Sequence, residues 1–102
     1  MACASVSYTP PTPHLVRGDM YSFTACCLDA SRIARAKWKF VDANGDDISS
    51  DMKMSEDCSA CVYWDATIPN NAVKMKITVD CMNSCVSGGV IDCFEEVAYP
   101  CA

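Results

Sequence analysis

Apolar and polar residues alternate with a period of two over much of the chain. From Met20 to Leu28, Tyr21, Phe23, Ala25 and Cys27 share one parity and Ser22, Thr24 and Cys26 the other, the signature of a half-buried strand. Ala36, Trp38 and Phe40 alternate with Lys37, Lys39 and Val41 in the same way. Val62, Trp64, Ala66 and Ile68 oppose Tyr63, Asp65 and Thr67 until Pro69-Asn70-Asn71 ends the run. The clearest pattern sets Val73, Met75, Ile77, Val79 and Cys81 against Lys74, Lys76, Thr78 and Asp80. Val90 to Tyr99 forms a last, less regular strand after a turn at Gly88-Gly89.

The connections fit that reading. Asp42-Ala43-Asn44-Gly45-Asp46-Asp47 gathers residues that tolerate positive φ, and Asn44-Gly45 is a strong hairpin signal. Ser49 to Asp57 has no clear period and is compatible with a loop, a short edge strand or a helical turn. Three prolines between Ser7 and Pro13 favour an extended entry or an edge strand. No segment carries a helical period of useful length. Short strands separated by turns, without βαβ alternation, predict an all-β, antiparallel sandwich of about seven strands. We expect an extended, proline-rich segment over residues 1–14 and the sandwich over 15–102.

Composition narrows the function classes. The 102 residues suit one domain, and a 51% apolar content suits a folded one. Eight basic against thirteen acidic side chains leave −5 at pH 7, the wrong sign for nucleic acid or anionic lipid. No apolar run approaches the roughly 20 residues a bilayer crossing needs, and Met1 to His14 lacks the basic and apolar regions of a secretory signal. Nine cysteines in so short a chain point to an oxidising compartment or to metal. Being odd in number, they leave one thiol free, capped or joined to another chain.

Cys27 is in phase with Phe23 and Ala25, Cys81 is in phase with Ile77 and Val79, and Trp38 follows Cys27 by eleven residues. This arrangement resembles an immunoglobulin-like domain. Val16-Arg17-Gly18-Asp19 ahead of Tyr21-Ser22-Phe23-Thr24-Ala25, the Trp38-Lys39-Phe40 strand and the run Lys74 to Asp80 are similar to the second, third and sixth strands of bacterial Ig-like and PKD-type repeats. The sequence departs from the antibody pattern at Val79, where a tyrosine corner would place Tyr. The resemblance implies a Cys27–Cys81 bridge between the sheets, packed on Trp38, within a core that includes Phe23, Trp64 and Ile77. Such a bridge would contribute about 4 kcal/mol in the chain-entropy picture. Cys26 has the opposite parity and needs another partner. Cys3, Cys58, Cys61, Cys85, Cys93 and Cys101 are the remaining disulfide candidates, with a Cys3–Cys101 link or a link to a neighbouring subunit able to lock the termini.

Candidate chemistry is sparse. Cys58-x-x-Cys61 with Cys81-x3-Cys85 approximates a zinc-ribbon spacing, and Cys58-Ser-Ala-Cys61 lacks the βαβ context of a redox motif. Asp42, Asn44, Asp46 and Asp47 resemble a calcium loop, but Gly45 is misplaced for an EF-hand and Lys53 stands where its last Glu would be, so a solvated hairpin turn is the default reading. Arg17-Gly18-Asp19 spells an integrin-binding tripeptide and also suits a turn into a strand. The lone His14 has no orienting partner, Ser87-Gly88-Gly89 lacks the nucleophile-elbow frame, and Glu95 and Glu96 point to opposite faces of a strand. Within an Ig-like sandwich, Lys37, Lys39, Lys74 and Lys76 fall on neighbouring strands and make one outward basic stripe.

The expectation is therefore a non-enzymatic, extracellular or surface-exposed structural or interaction module without a cofactor, self-assembling into a fibre, layer or virion. The basic stripe would meet the acidic 42–57 region, or Glu95 and Glu96, of a neighbour. The alternatives are a monomeric adhesion or receptor-binding module that recognises another surface protein, and a cytosolic zinc-binding domain.

Overall fold

The computed structural model describes residues 3–29, 32–83 and 89–102. They form seven strands: β1 (Ala4–Thr9), β2 (Met20–Cys27), β3 (Ile33–Val41), β4 (Asp47–Met54), β5 (Cys61–Thr67), β6 (Lys74–Met82) and β7 (Ile91–Pro100). One sheet has the order β1-β2-β5 and the other β4-β3-β6-β7, every pairing antiparallel. The chain is an Ig-like antiparallel β-sandwich. Its fourth strand pairs with β3, whereas a constant-type Ig domain joins its fourth strand to the other sheet.

Alternation sets which face is buried. Tyr21, Phe23, Ala25 and Cys27 of β2, Val62 and Trp64 of β5, and Met75, Ile77, Val79 and Cys81 of β6 all point into the space between the sheets and are buried. β3, beside β6 in the four-stranded sheet, adds Ala34, Ala36, Trp38 and Phe40. The two sheets meet through an aromatic stack in which Trp64 lies between Phe23 (centroids 5.3 Å) and Trp38 (4.7 Å), both nearly parallel to it. Trp38 pairs in register with Ile77, while Ala34 pairs with Cys81. The tryptophan is therefore four residues, about 13 Å, along the strand from the disulfide. Its ring partner is Trp64, which corrects the expectation that it packs on the bridge.

β1 belongs to the three-stranded sheet, so the sandwich begins at Ala4 rather than at Leu15. Past β1 the chain crosses to the other sheet's end. Leu15 is fully buried and bridges Cys101, with Leu15 N–H donating to the Pro100 carbonyl (3.0 Å) and Ala102 N–H to that of Leu15 (2.9 Å). The proline-rich turn is anchored by tyrosines: Tyr8 donates to the Thr12 carbonyl (2.6 Å), and Tyr21 accepts the Val16 N–H (3.0 Å). Segment 49–57, without a sequence period, resolves into most of edge strand β4 and a 3-10 turn at Glu56–Cys58. All but one of the β4 residues are exposed, which is why no apolar alternation marks it. Among the described residues no helix is long and apolar enough to cross a membrane.

Candidate functional site

The outer face of the four-stranded sheet is built by the outward parity of all its strands. Register sets Ser50, Lys39, Lys76 and Ala98 in one row across β4-β3-β6-β7 and Met52, Lys37, Thr78 and Glu96 in the next. A third row holds Met54, Arg35, Asp80 and Phe94, and Lys74 lies beyond the first row, opposite Val41 and Pro100. Lys37, Lys39, Lys74 and Lys76 thus share one face. The first two rows line an open groove of about 840 Å³, to which Lys37, Lys39 and Lys76 all contribute.

The charges on this face are unevenly matched. Asp80 is buried, and its Oδ2 accepts from Arg35 (2.7 Å to the guanidinium) and pairs with Lys37 Nζ (3.2 Å). Lys39 reaches Asp47 at 3.6 Å. Lys76 faces Lys39 directly across the strands and has no ion pair among the described residues. Like charges set opposite one another are unfavourable unless an anion lies between them. Glu96 stands on the same face next to Thr78, while Glu95 points inward and its Oε1 accepts the Cys3 N–H (2.8 Å).

The cysteines form a framework. Cys27–Cys81 crosses between the sheets inside the core. Cys26–Cys61 joins registered neighbours on the outer face of the three-stranded sheet. Cys3–Cys93 ties the residue before β1 to β7. Cys58 is disulfide-bonded as well, and Cys85 lies outside the described residues. Cys101 corrects the expectation of a bridge at that position. Its thiol is free and buried, and Cys3 is bonded to Cys93 instead. Burial pushes this thiol's pKa up, and the nearby Arg17 charge opposes the shift.

The zinc-ribbon reading loses two of its ligands to other bonds, and the acidic loop is organised as a turn. Cys61 and Cys81, two members of the zinc-ribbon spacing, are in disulfides with Cys26 and Cys27. Asp42 Oδ1 accepts the N–H groups of Asn44 (2.9 Å) and Asp46 (3.0 Å), and Asp47 pairs with Lys39, so these groups close and flank a hairpin turn. The Arg17-Gly18-Asp19 tripeptide is exposed but tied down: Arg17 Nε donates to the Ala72 carbonyl (2.7 Å) and Gly18 N–H to that of Ile68 (2.8 Å). His14 is exposed, and Ser87-Gly88 falls outside the described residues.

Two features escaped the sequence reading. Asp80 looks like an ordinary outward residue until the β3–β6 register sets it against Arg35. Arg32, whose Nη1 lies 3.1 Å from Cys93 Sγ, is separated from it by 61 residues, and no local pattern connects them. Fold and framework define a disulfide-rich Ig-like β-sandwich with a basic sheet face. No protein-family model matches the chain, and a search of curated proteins finds no relative.

Proposed function

We propose that this chain is a non-enzymatic extracellular module that assembles with copies of itself into a surface fibre, layer or virion. The observation that carries the reading is Lys76, a cation with no ion pair among the described residues that faces Lys39 in an open groove on a protein whose net charge is −5. A second copy offers the matching surface. Asp46, Asp47, Asp51, Glu56 and Asp57 are all exposed along β4 and its two flanking turns. A contact between basic face and acidic edge joins different surfaces of each copy, so it propagates into rings or filaments rather than closing as a two-fold dimer. The framework of disulfides favours an oxidising compartment and a rigid subunit. With Cys101 buried and Cys3 paired, the association proposed here runs through charged surfaces rather than through those two thiols.

Sedimentation velocity of the oxidised protein tests this reading. We expect oligomers at an ionic strength of about 0.02 M that dissociate by about 0.5 M, where charge interactions are screened within a few ångströms. Lys39→Glu with Lys76→Glu should leave a monomer at both. A wild-type protein that is monomeric in low salt at high micromolar concentration refutes self-assembly and leaves the adhesion-module reading in its place.

A further inference from the structure

Cys3–Cys93 has an electrically asymmetric setting. On one side Arg32 Nη1 donates to Cys93 Sγ at 3.1 Å, its guanidinium held in place by Asp92 on Nε at 3.0 Å and, more loosely, by Asp29 at 3.9 Å. On the other side the Glu95 carboxylate lies against Cys3 through the backbone N–H. A thiolate on Cys93 would be stabilised by a cation, whereas one on Cys3 would develop beside an anion. Both cysteines are only partly buried, unlike the Cys27–Cys81 bond behind them. The sulfurs of Cys3, Cys81 and Cys93 lie within 4.8 Å of one another, so this bond is packed against the core disulfide without being enclosed by it.

We propose that Cys3–Cys93 is a thiol-exchange site whose attacked sulfur is Cys3 and whose leaving group is Cys93. The co-reactant is a small external thiolate. Its sulfur forms a bond to Cys3 Sγ as the Cys3–Cys93 bond breaks, and Cys93 departs with the electron pair as a thiolate bonded to Arg32. The product carries the thiol on Cys3 as a mixed disulfide. The return reaction, attack of the Cys93 thiolate on Cys3 Sγ, expels the thiol and restores the bond. Because the bond joins the start of β1, on one sheet, to β7 of the other, exchange releases one edge of the sandwich while Cys27–Cys81 keeps the sheets together.

The experiment uses cysteamine, a thiol whose ammonium group is not repelled by Glu95, on the folded, oxidised full chain. The reaction is quenched by alkylation and mapped by mass spectrometry. We expect cysteamine on Cys3 and the alkyl group on Cys93, the reverse product being at least about tenfold rarer. Arg32→Gln should slow opening of Cys3–Cys93 about three- to tenfold, as a weaker leaving group does. It should leave Cys26–Cys61 unchanged, and Arg32→Lys should restore most of the rate. Glu95→Gln, which leaves Arg32 in place, should narrow the preference for Cys3 and serves should Arg32→Gln fail to fold. Equal adducts on the two sulfurs in the wild type, or equal slowing of both disulfides by Arg32→Gln in a folded protein, would overturn the proposal.

Discussion

Among the described residues Asp80 is the only charged side chain that the fold removes almost wholly from water, and its partners are the reason it can be there. Asp80→Asn keeps the shape but leaves Arg35 and Lys37 facing an uncharged amide. Since both cations still reach solvent, the expected loss is at the lower end for a broken buried pair, about 2–3 kcal/mol. A lower urea midpoint at unchanged slope would report it, and a shift worth under about 0.5 kcal/mol would mean the pair contributes little. Cys101 makes a second prediction. Its raised pKa means the folded state keeps the thiol proton at pH values where the unfolded chain has lost it. That contribution is complete below the ordinary thiol pKa and is lost as pH rises through the raised folded value. Burial, and secondarily the neighbouring Tyr8, raise Tyr99 in the same direction, so its loss follows at higher pH. Urea midpoints should therefore fall between about pH 7.5 and pH 10, and less steeply in Cys101→Ala. An identical slope in the variant would remove Cys101 from the account. Neither residue's role is written locally: Asp80 depends on the β3–β6 register, and Cys101 on the entry segment folding over it.

Strands were legible where one face is buried and obscure where none is. β2, β5 and β6 alternate cleanly because every second residue enters the core, and each lies within a residue or two of its expected span. β4 shows no period because the sheet needs it only as an edge, where exposed Asp51 and Lys53 discourage further pairing. β3 starts at Ile33, three residues before the expected alternation, because Ile33 and Arg35 occupy outward positions against Met82 and Asp80 rather than solvent. The turns can be ranked by a contrast between two glycines. Gly45 in the β3–β4 hairpin has φ +84° and open space around a would-be Cβ, whereas Gly18 at the entry to β2 has φ +87° and Asn70 Oδ1 only 3.3 Å from that position. Gly45→Ala should cost about 1 kcal/mol from backbone strain alone, and Gly18→Ala measurably more. Thermal unfolding of the two variants decides it; equal losses would show that Asn70 simply moves aside.

At the scale of the whole molecule the cross-links follow the two layers. Two of the three bonds fully placed among the described residues join the sheets, Cys27–Cys81 and Cys3–Cys93, while Cys26–Cys61 joins neighbours within one. The sequence separations of 54, 90 and 35 would, by loop entropy alone, make the bonds nearly equal at about 4 kcal/mol each, because the dependence on length is logarithmic. Position breaks the tie. Replacing Cys27 and Cys81 together by Ala removes two sulfurs from sites 6% and 0% exposed, leaving a void between the sheets that adds about 1 kcal/mol or more to the entropic loss. Cys26→Ala with Cys61→Ala removes sulfurs from a half-exposed outer face, where no cavity forms and the loss is entropic. Denaturant unfolding should therefore rank the core double variant as clearly less stable than the outer-face one, although their loop lengths predict a difference of only about 0.4 kcal/mol. Equal stabilities would mean that the sandwich collapses around the missing sulfurs, and the aromatic stack of Phe23, Trp64 and Trp38, distant along the strands from that bond, would then be the principal tie between the layers.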